Sequence, residues 1–226
     1  MRFEPPKSPF LRALPFLLCG ACALGLWLSR PSSKTRALLA GGVDAETATC
    51  LSNLNQISRA YALYAQDYDG KIAPGEDPED RYYPKIWSDR GPGDYYGALL
   101  GKVKNSPYQH EILRPYLTSP EVFHCPADNG WTQSRLPTLS GSDLRNVAPS
   151  SFKEYGTSYY VFTVHGLAEE RAEDIPNPSQ TLLMFDGDLW HVNSNQELLN
   201  GLFADGHAQN LTAAQFNFYS GQGLNP

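Results

Sequence analysis

The chain has 226 residues, 41% hydrophobic and 19% charged, enough for a short N-terminal segment and one domain of roughly 150 residues or slightly more. Its net charge of −6 is uneven: residues 1–36 hold Arg2, Lys7, Arg12, Arg30, Lys34 and Arg36 against Glu4, a local +5 that leaves −11 for the rest. An acidic body repels a phosphate backbone and argues against a nucleic-acid partner. The 13 Tyr, 19 Gly and 18 Pro argue against a helical bundle and for a loop-rich domain with half-buried aromatic surfaces.

Residues 13–28 (ALPFLLCGACALGLWL) carry no charge. At about 1.5 Å per residue they would reach roughly 24 Å as a helix, short of a hydrocarbon core of about 30 Å unless Arg12 and Arg30 snorkel. Three readings are open: an uncleaved signal-anchor, a cleaved signal peptide and a buried core helix. Cys19 and Cys22 read as small apolar residues of that run. Three basic residues lie on each side, so orientation is not fixed by charge. The signal-anchor reading leads to an expected single-pass protein of the cell inner membrane, with its domain in the periplasm or outside the cell. The expected organisation is 1–36, basic N-terminus and signal-anchor; 37–70, an amphipathic helix; and 71–226, a globular α+β region.

Leu51, Leu54, Ile57, Tyr61, Tyr64 and Tyr68 recur every three or four residues, the signature of a helix with one apolar stripe. Thr47 or Thr49 is the expected cap, and Asp69-Gly70 the expected end. Residues 71–94 read as loop, 105–117 as holding a short helix into Pro115, and 132–151 as a surface loop rich in Ser, Thr and Pro. Residues 158–164 (SYYVFTV) and 181–185 (TLLMF) have strand composition. Residues 202–209 (LFADGHAQ) read as a hairpin with Asp205-Gly206 in a type I′ turn. Thr212 and Gln215 fit a capping box opening a short helix to about Tyr219. The expected plan is α+β, a long N-terminal helix packed on a small antiparallel sheet with long loops.

Several stretches resemble a bacterial family in that family's order. They are CLSNLNQI at 50–57 with YAQDYDG at 64–70, LRPYL at 113–117 with VFHCPAD at 122–128, YGTSY at 155–159, and IPNPSQTLLMFD at 175–186 with LFADGH at 202–207. Together they are similar to the type II secretion pseudopilin-like, prepilin-type proteins with an H-X9-DG signature, a DUF1559-related group. The resemblance implies a pilin-like fold and a non-enzymatic structural or interaction role linked to type II secretion or pilus-like assembly. It implies as partners a membrane contacted by the N-terminal segment, other pilin-like subunits and secretion components. Two features depart from the pattern. Residues 1–36 lack the small residue and Phe-Thr-Leu-Ile-Glu at which prepilin peptidase acts, so the resemblance does not extend to processing or filament growth. His191 and Asp205 are separated by thirteen residues rather than nine, which a four-residue insertion around 193–197 explains.

Cys50 and Cys125 are the only cysteines outside the apolar run, and in an oxidising envelope such a pair favours a disulfide. Metal candidates are Asp186, Asp188, Asp205, His191 and His207, at the ends of expected strands. The carboxylates suit Ca²⁺, though no EF-hand loop is present, and the bland reading is a turn with satisfied histidines and no cofactor. No nucleophile elbow, P-loop or Rossmann fingerprint occurs, so catalysis is not expected. An alternative role is an envelope module binding glycan or peptide through Trp87, Trp131 and Trp190 with Tyr82, Tyr83, Tyr95 and Tyr96; a metal-dependent hydrolase built on Asp186, His191, Asp205 and His207 ranks below it.

Overall fold

In the computed structural model, the residues described are 44–88, 99, 101–103, 105–136 and 144–222, all within the compact unit Gly42–Pro226. The apolar run 13–28, Cys19, Cys22, Tyr95 and Tyr96 lie outside the described residues.

Helix α1 (Ala45–Asp67) begins where extended Asp44 accepts a hydrogen bond from the Thr47 N–H at 2.7 Å. That carboxylate satisfies one of the donors a helix leaves unpaired at its start. The cap is therefore Asp44, with Thr47 and Thr49 already inside the helix. α1 closes at Tyr68, and Asp69 and Gly70 turn the chain away with φ of 54° and 81°. Its buried face is Thr47, Cys50, Asn53, Leu54, Ile57, Ala60 and Tyr64. This face is rotated from the apolar stripe, leaving Tyr68 exposed, because Cys50, Thr47 and Asn53 have bonded partners inside.

The segment after α1, expected as loop, holds two short helices, α2 (Pro78–Tyr82) and α3 (Lys85–Ser88). Asp77 and Asp80 form a capping box around Pro78, a residue suited to the first helical position. Asp77 also accepts from the Val161 N–H at 3.0 Å, and Asp80 accepts from Trp87 Nε1 at 2.7 Å. Helix α4 (Gln109–Leu113) runs into a 3₁₀ turn at Arg114–Tyr116, as Pro115 requires. Part of the expected 132–151 loop is instead a two-stranded ribbon, β1 (Trp131–Gln133) against β2 (Arg145–Val147).

Helix α5 (Ser151–Tyr155) ends on Gly156 at φ 82° and leads into β3 (Tyr159–Val161). The expected strand to 164 stops early, and Thr163–Leu167 forms helix α6. Strands β4 (Leu182–Asp186), β5 (His191–Asn193), β6 (Gln196–Phe203) and β7 (Ala208–Leu211) follow, then α7 (Ala213–Gln222). β3 pairs with β4, β4 with β6, and β5 and β7 each with β6, all antiparallel. Thr212 and Gln215 make the reciprocal capping bonds read from the sequence.

Two turns change places. Ser194 and Asn195 both have positive φ, 50° and 69°, and form the tight β5–β6 turn where an inserted loop was expected. The β6–β7 turn is not type I′, because only Gly206 has positive φ, at 90°, while the Gly206 N–H donates to the Phe203 carbonyl. Asp205 accepts from the His207 N–H, which favours a type I turn ending in a glycine bulge.

The sheet separates two cores. Tyr159, Val161, Met184 and Leu202 face Cys50, Leu54, Ile57 and Ala60 of α1. Tyr160, Phe185, Leu199 and Phe203 face Trp131 and Val147 of the ribbon and Phe216 of α7. The α+β plan of a helix on an antiparallel sheet is thus present.

The inner-membrane expectation is corrected. No helix among the described residues is long and apolar enough to cross a membrane. The 23-residue α1 has the length but carries Glu46, Asn53, Asn55, Gln56, Arg59, Gln66 and Asp67, polar groups that hydrocarbon does not solvate.

Phe216 is fully buried, whereas Leu63 is 44% exposed. Phe216→Ala should lower stability by about 3–5 kcal/mol and Leu63→Ala by about 0.5 kcal/mol or less, as read from urea unfolding midpoints.

Candidate functional site

Under the first two turns of α1, six side chains meet with none more than 3% exposed: Thr47, Cys50, Cys125, Asp186, His191 and Asn200. α1 supplies Thr47 and Cys50, separated by three residues and so on one face. Cys125 follows the 3₁₀ turn Pro120–Phe123, and it is bonded to Cys50 with Cα atoms 5.0 Å apart. Asp186 ends β4, His191 opens β5, and Asn200 lies in the middle of β6. Asp186, Met184, Asn200 and Leu202 alternate with residues of the opposite core, which places them on the face that α1 covers.

His191 is the hub. Its Nδ1 is 2.8 Å from Thr47 Oγ1. Its Nε2 is 2.8 Å from Asn200 Nδ2, 3.1 Å from Asp186 Oδ2 and 3.5 Å from Cys125 Sγ. The Asp186 carboxylate takes the Asn200 backbone N–H at 2.6 Å through the same Oδ2, while its Oδ1 is buried without a hydrogen-bond partner. Asn210 of β7 donates to Asn200 Oδ1 at 2.6 Å and fixes that amide. Burial disfavours a charged imidazole, yet the adjoining Asp186 carboxylate outweighs it and holds His191 above its ordinary pKa. Burial likewise raises Asp186, against the lowering influence of His191.

The five metal candidates do not converge on one place: Asp186 meets His191, and Asp205 meets His207 at a separate turn. Asp188 is tied to Arg135, which reaches its carboxylate through Nε at 3.1 Å and through the backbone N–H at 3.0 Å. Asp205 and His207 sit at the β6–β7 turn, the imidazole stacked on Phe203 at 4.4 Å. The described residues therefore do not assemble the expected carboxylate set for Ca²⁺. Among them, the one group of three His, Cys or acidic side chains that converges is Cys50, Cys125 and His191, with ligand atoms within 4.8 Å of one another. The sequence offered His191 and the cysteines for separate reasons, Thr47 only as a helix cap, and nothing in it pointed to Asn200.

Thr47, His191 and Asp186 form a hydroxyl–imidazole–carboxylate chain, but the hydroxyl lies inside α1 against the sheet, where no substrate reaches it. What the chain does is link α1 to β4, β5 and β6. Asp128 plays the same part nearby: its oxygens accept from the Gly130, Ser151 and Phe152 N–H groups and from Ser158 Oγ, between 2.7 and 3.0 Å. Ser158 in turn accepts from the Cys125 N–H at 3.0 Å.

The aromatic groups among the described residues are not an open strip. Trp87 and Trp131 are buried, their indole N–H groups bonded to Asp80 and to the Leu144 carbonyl. Trp190 stacks on Trp131 at 6.0 Å and packs on both cores. Tyr82 is exposed and Tyr83 half-buried. The tryptophans roof the core instead of presenting a sugar-stacking face, which removes the main support for glycan binding.

Cys50 and Cys125 are 75 residues apart, so the chain-entropy relation predicts that Cys125→Ser lowers stability by roughly 4 kcal/mol in urea unfolding without reductant. A raised His191 pKa means that the folded state holds its proton more tightly than the unfolded chain. That stabilisation is complete below the unfolded value of about 6.5 and is lost as pH rises through the folded value. Unfolding free energy measured at stepped pH should fall over that window, and His191→Asn should remove the difference.

No family model, curated protein or solved structure matches this chain.

Proposed function

We propose that this chain is a non-enzymatic, pseudopilin-like structural or interaction protein of the prepilin-type H-X9-DG group, working in type II secretion or pilus-like assembly. The observation that carries the reading is how the four motif blocks are used. Cys50 of the first block bonds Cys125 of the second, and Asp128 of the second holds Ser158 of the third. Asp186 of the fourth meets His191 beneath the same helix. Residues that resemble a family signature are thus spent on internal fastening, which supports a structural role.

A long helix laid on an antiparallel sheet supports a pilin-like plan. The extra residues between His191 and Asp205 lengthen the β5–β6 hairpin, which accounts for the altered spacing without disturbing the core. The acidic body suits contact with basic faces of neighbouring subunits.

Purified full-length chain mixed with pseudopilins of its own host should give a defined complex in crosslinking and sedimentation, weakened by added salt as an acidic interface requires. A chain that stays monomeric beside every pilin-like subunit of that host contradicts the proposal.

A further inference from the structure

We infer that the Cys50–Cys125 pair with His191 is a redox-gated zinc site: closed as a disulfide, and a site for Zn²⁺ with three protein ligands once reduced. The inference stands apart from the proposed assembly role, since it rests on the interior of this chain alone.

Two sulfurs and an imidazole nitrogen, donors that zinc prefers, converge in one buried place. Tetrahedral zinc with bonds of about 2.3 Å to sulfur and about 2.0–2.1 Å to nitrogen puts a sulfur and a nitrogen ligand about 3.6 Å apart. Cys125 Sγ and His191 Nε2 are 3.5 Å apart. Asp186 Oδ2 lies 3.1 Å from the same nitrogen and places a negative charge beside the three donors. A second, independent feature points to a ligand: Asp186 is fully buried, yet its Oδ1 has no hydrogen-bond partner. A carboxylate left partly bare in the interior is destabilising in the oxidised chain, and a cation at the neighbouring donors offsets its charge.

The surroundings suit such a role. With Nε2 on zinc, the imidazole carries its proton on Nδ1 and donates it to Thr47 Oγ1, now 2.8 Å away, which fixes ring and tautomer. Two thiolates balance the charge of one Zn²⁺, and the Asn200 backbone N–H on the adjacent Asp186 helps to offset that carboxylate.

The chemistry balances with a dithiol as reductant. Its two sulfur electrons pass to the Cys50–Cys125 bond by exchange, giving two cysteine thiols and the cyclic disulfide of the reagent. Zn²⁺ then displaces two thiol protons to solvent and forms two zinc–thiolate bonds. Zinc and disulfide use the same sulfurs, so each state excludes the other.

The test uses full-length chain carrying Cys19→Ser and Cys22→Ser, so that the sequence's other two cysteines contribute no ligand. One sample is oxidised; the other is reduced by dithiothreitol under anaerobic conditions and desalted. Each is titrated with Co²⁺ and then Zn²⁺. The reduced chain should take one equivalent, show tetrahedral cobalt bands with a thiolate charge-transfer band, and gain thermal stability with zinc; the oxidised chain should do none of these. His191→Ala should weaken affinity at least 100-fold, and Thr47→Val, which leaves every ligand in place, by about 10–100-fold. Reduced chain that binds no metal overturns the inference. So does binding unchanged by His191→Ala, or zinc that leaves the melting temperature of the reduced chain where it was.

Discussion

The fastening of α1 to the sheet is the constraint on which the rest of the structure depends. A single amphipathic helix over a small sheet has to be held in one rotation and one register, and dispersion between aliphatic groups is poor at choosing among neighbouring registers. Here Cys50 is bonded to Cys125, Thr47 meets His191 one turn earlier, and Asn53 donates to the His124 carbonyl almost one turn later. Covalent and polar contacts at three successive positions of one face leave α1 one way to sit. The apolar stripe of the sequence then follows, with Leu54, Ile57 and Ala60 turned inward and Tyr68 turned out.

Beneath that helix the design is polar where a core is usually apolar. His191, Asp186, Asn200 and Asn210 link β4, β5, β6 and β7 through side chains as well as through the backbone ladder. Such a network is stabilising only if nearly every member is satisfied. Asp186 Oδ1 is the exception, and it lies in the carboxylate that touches the histidine beside the disulfide. That coincidence makes the interior more than a packing device, and it does not conflict with a scaffold role for the outer surface.

Much of the fold was legible in local pattern. The spacing from Leu51 to Tyr64 gave α1, the capping pair Thr212 and Gln215 gave α7, and the cysteine count gave the disulfide. Other elements were hidden for physical reasons. α2 announces itself through Asp77, Pro78 and Asp80, a capping signal that was present but masked by neighbouring turn residues. β1 and β2 have three residues each, too short for alternation to register, and Thr163 leaves strand for helix although its neighbours are β-formers, its hydroxyl bonded to Asp80. The site was the least legible part. Thr47 and His191 are separated by 144 residues, and only the sheet register that puts Asp186 and Asn200 on one face brings them together.

The central claim, that the disulfide and the His191 network jointly set the seat of α1, is tested most directly by hydrogen exchange on the oxidised and reduced chain, read by mass spectrometry of peptides. The account predicts that, in metal-free buffer, reduction speeds exchange in the first three turns of α1 and in β5 together, while α7 on the opposite core keeps its protection. Unchanged exchange in α1, or equal loss across both cores, would contradict it.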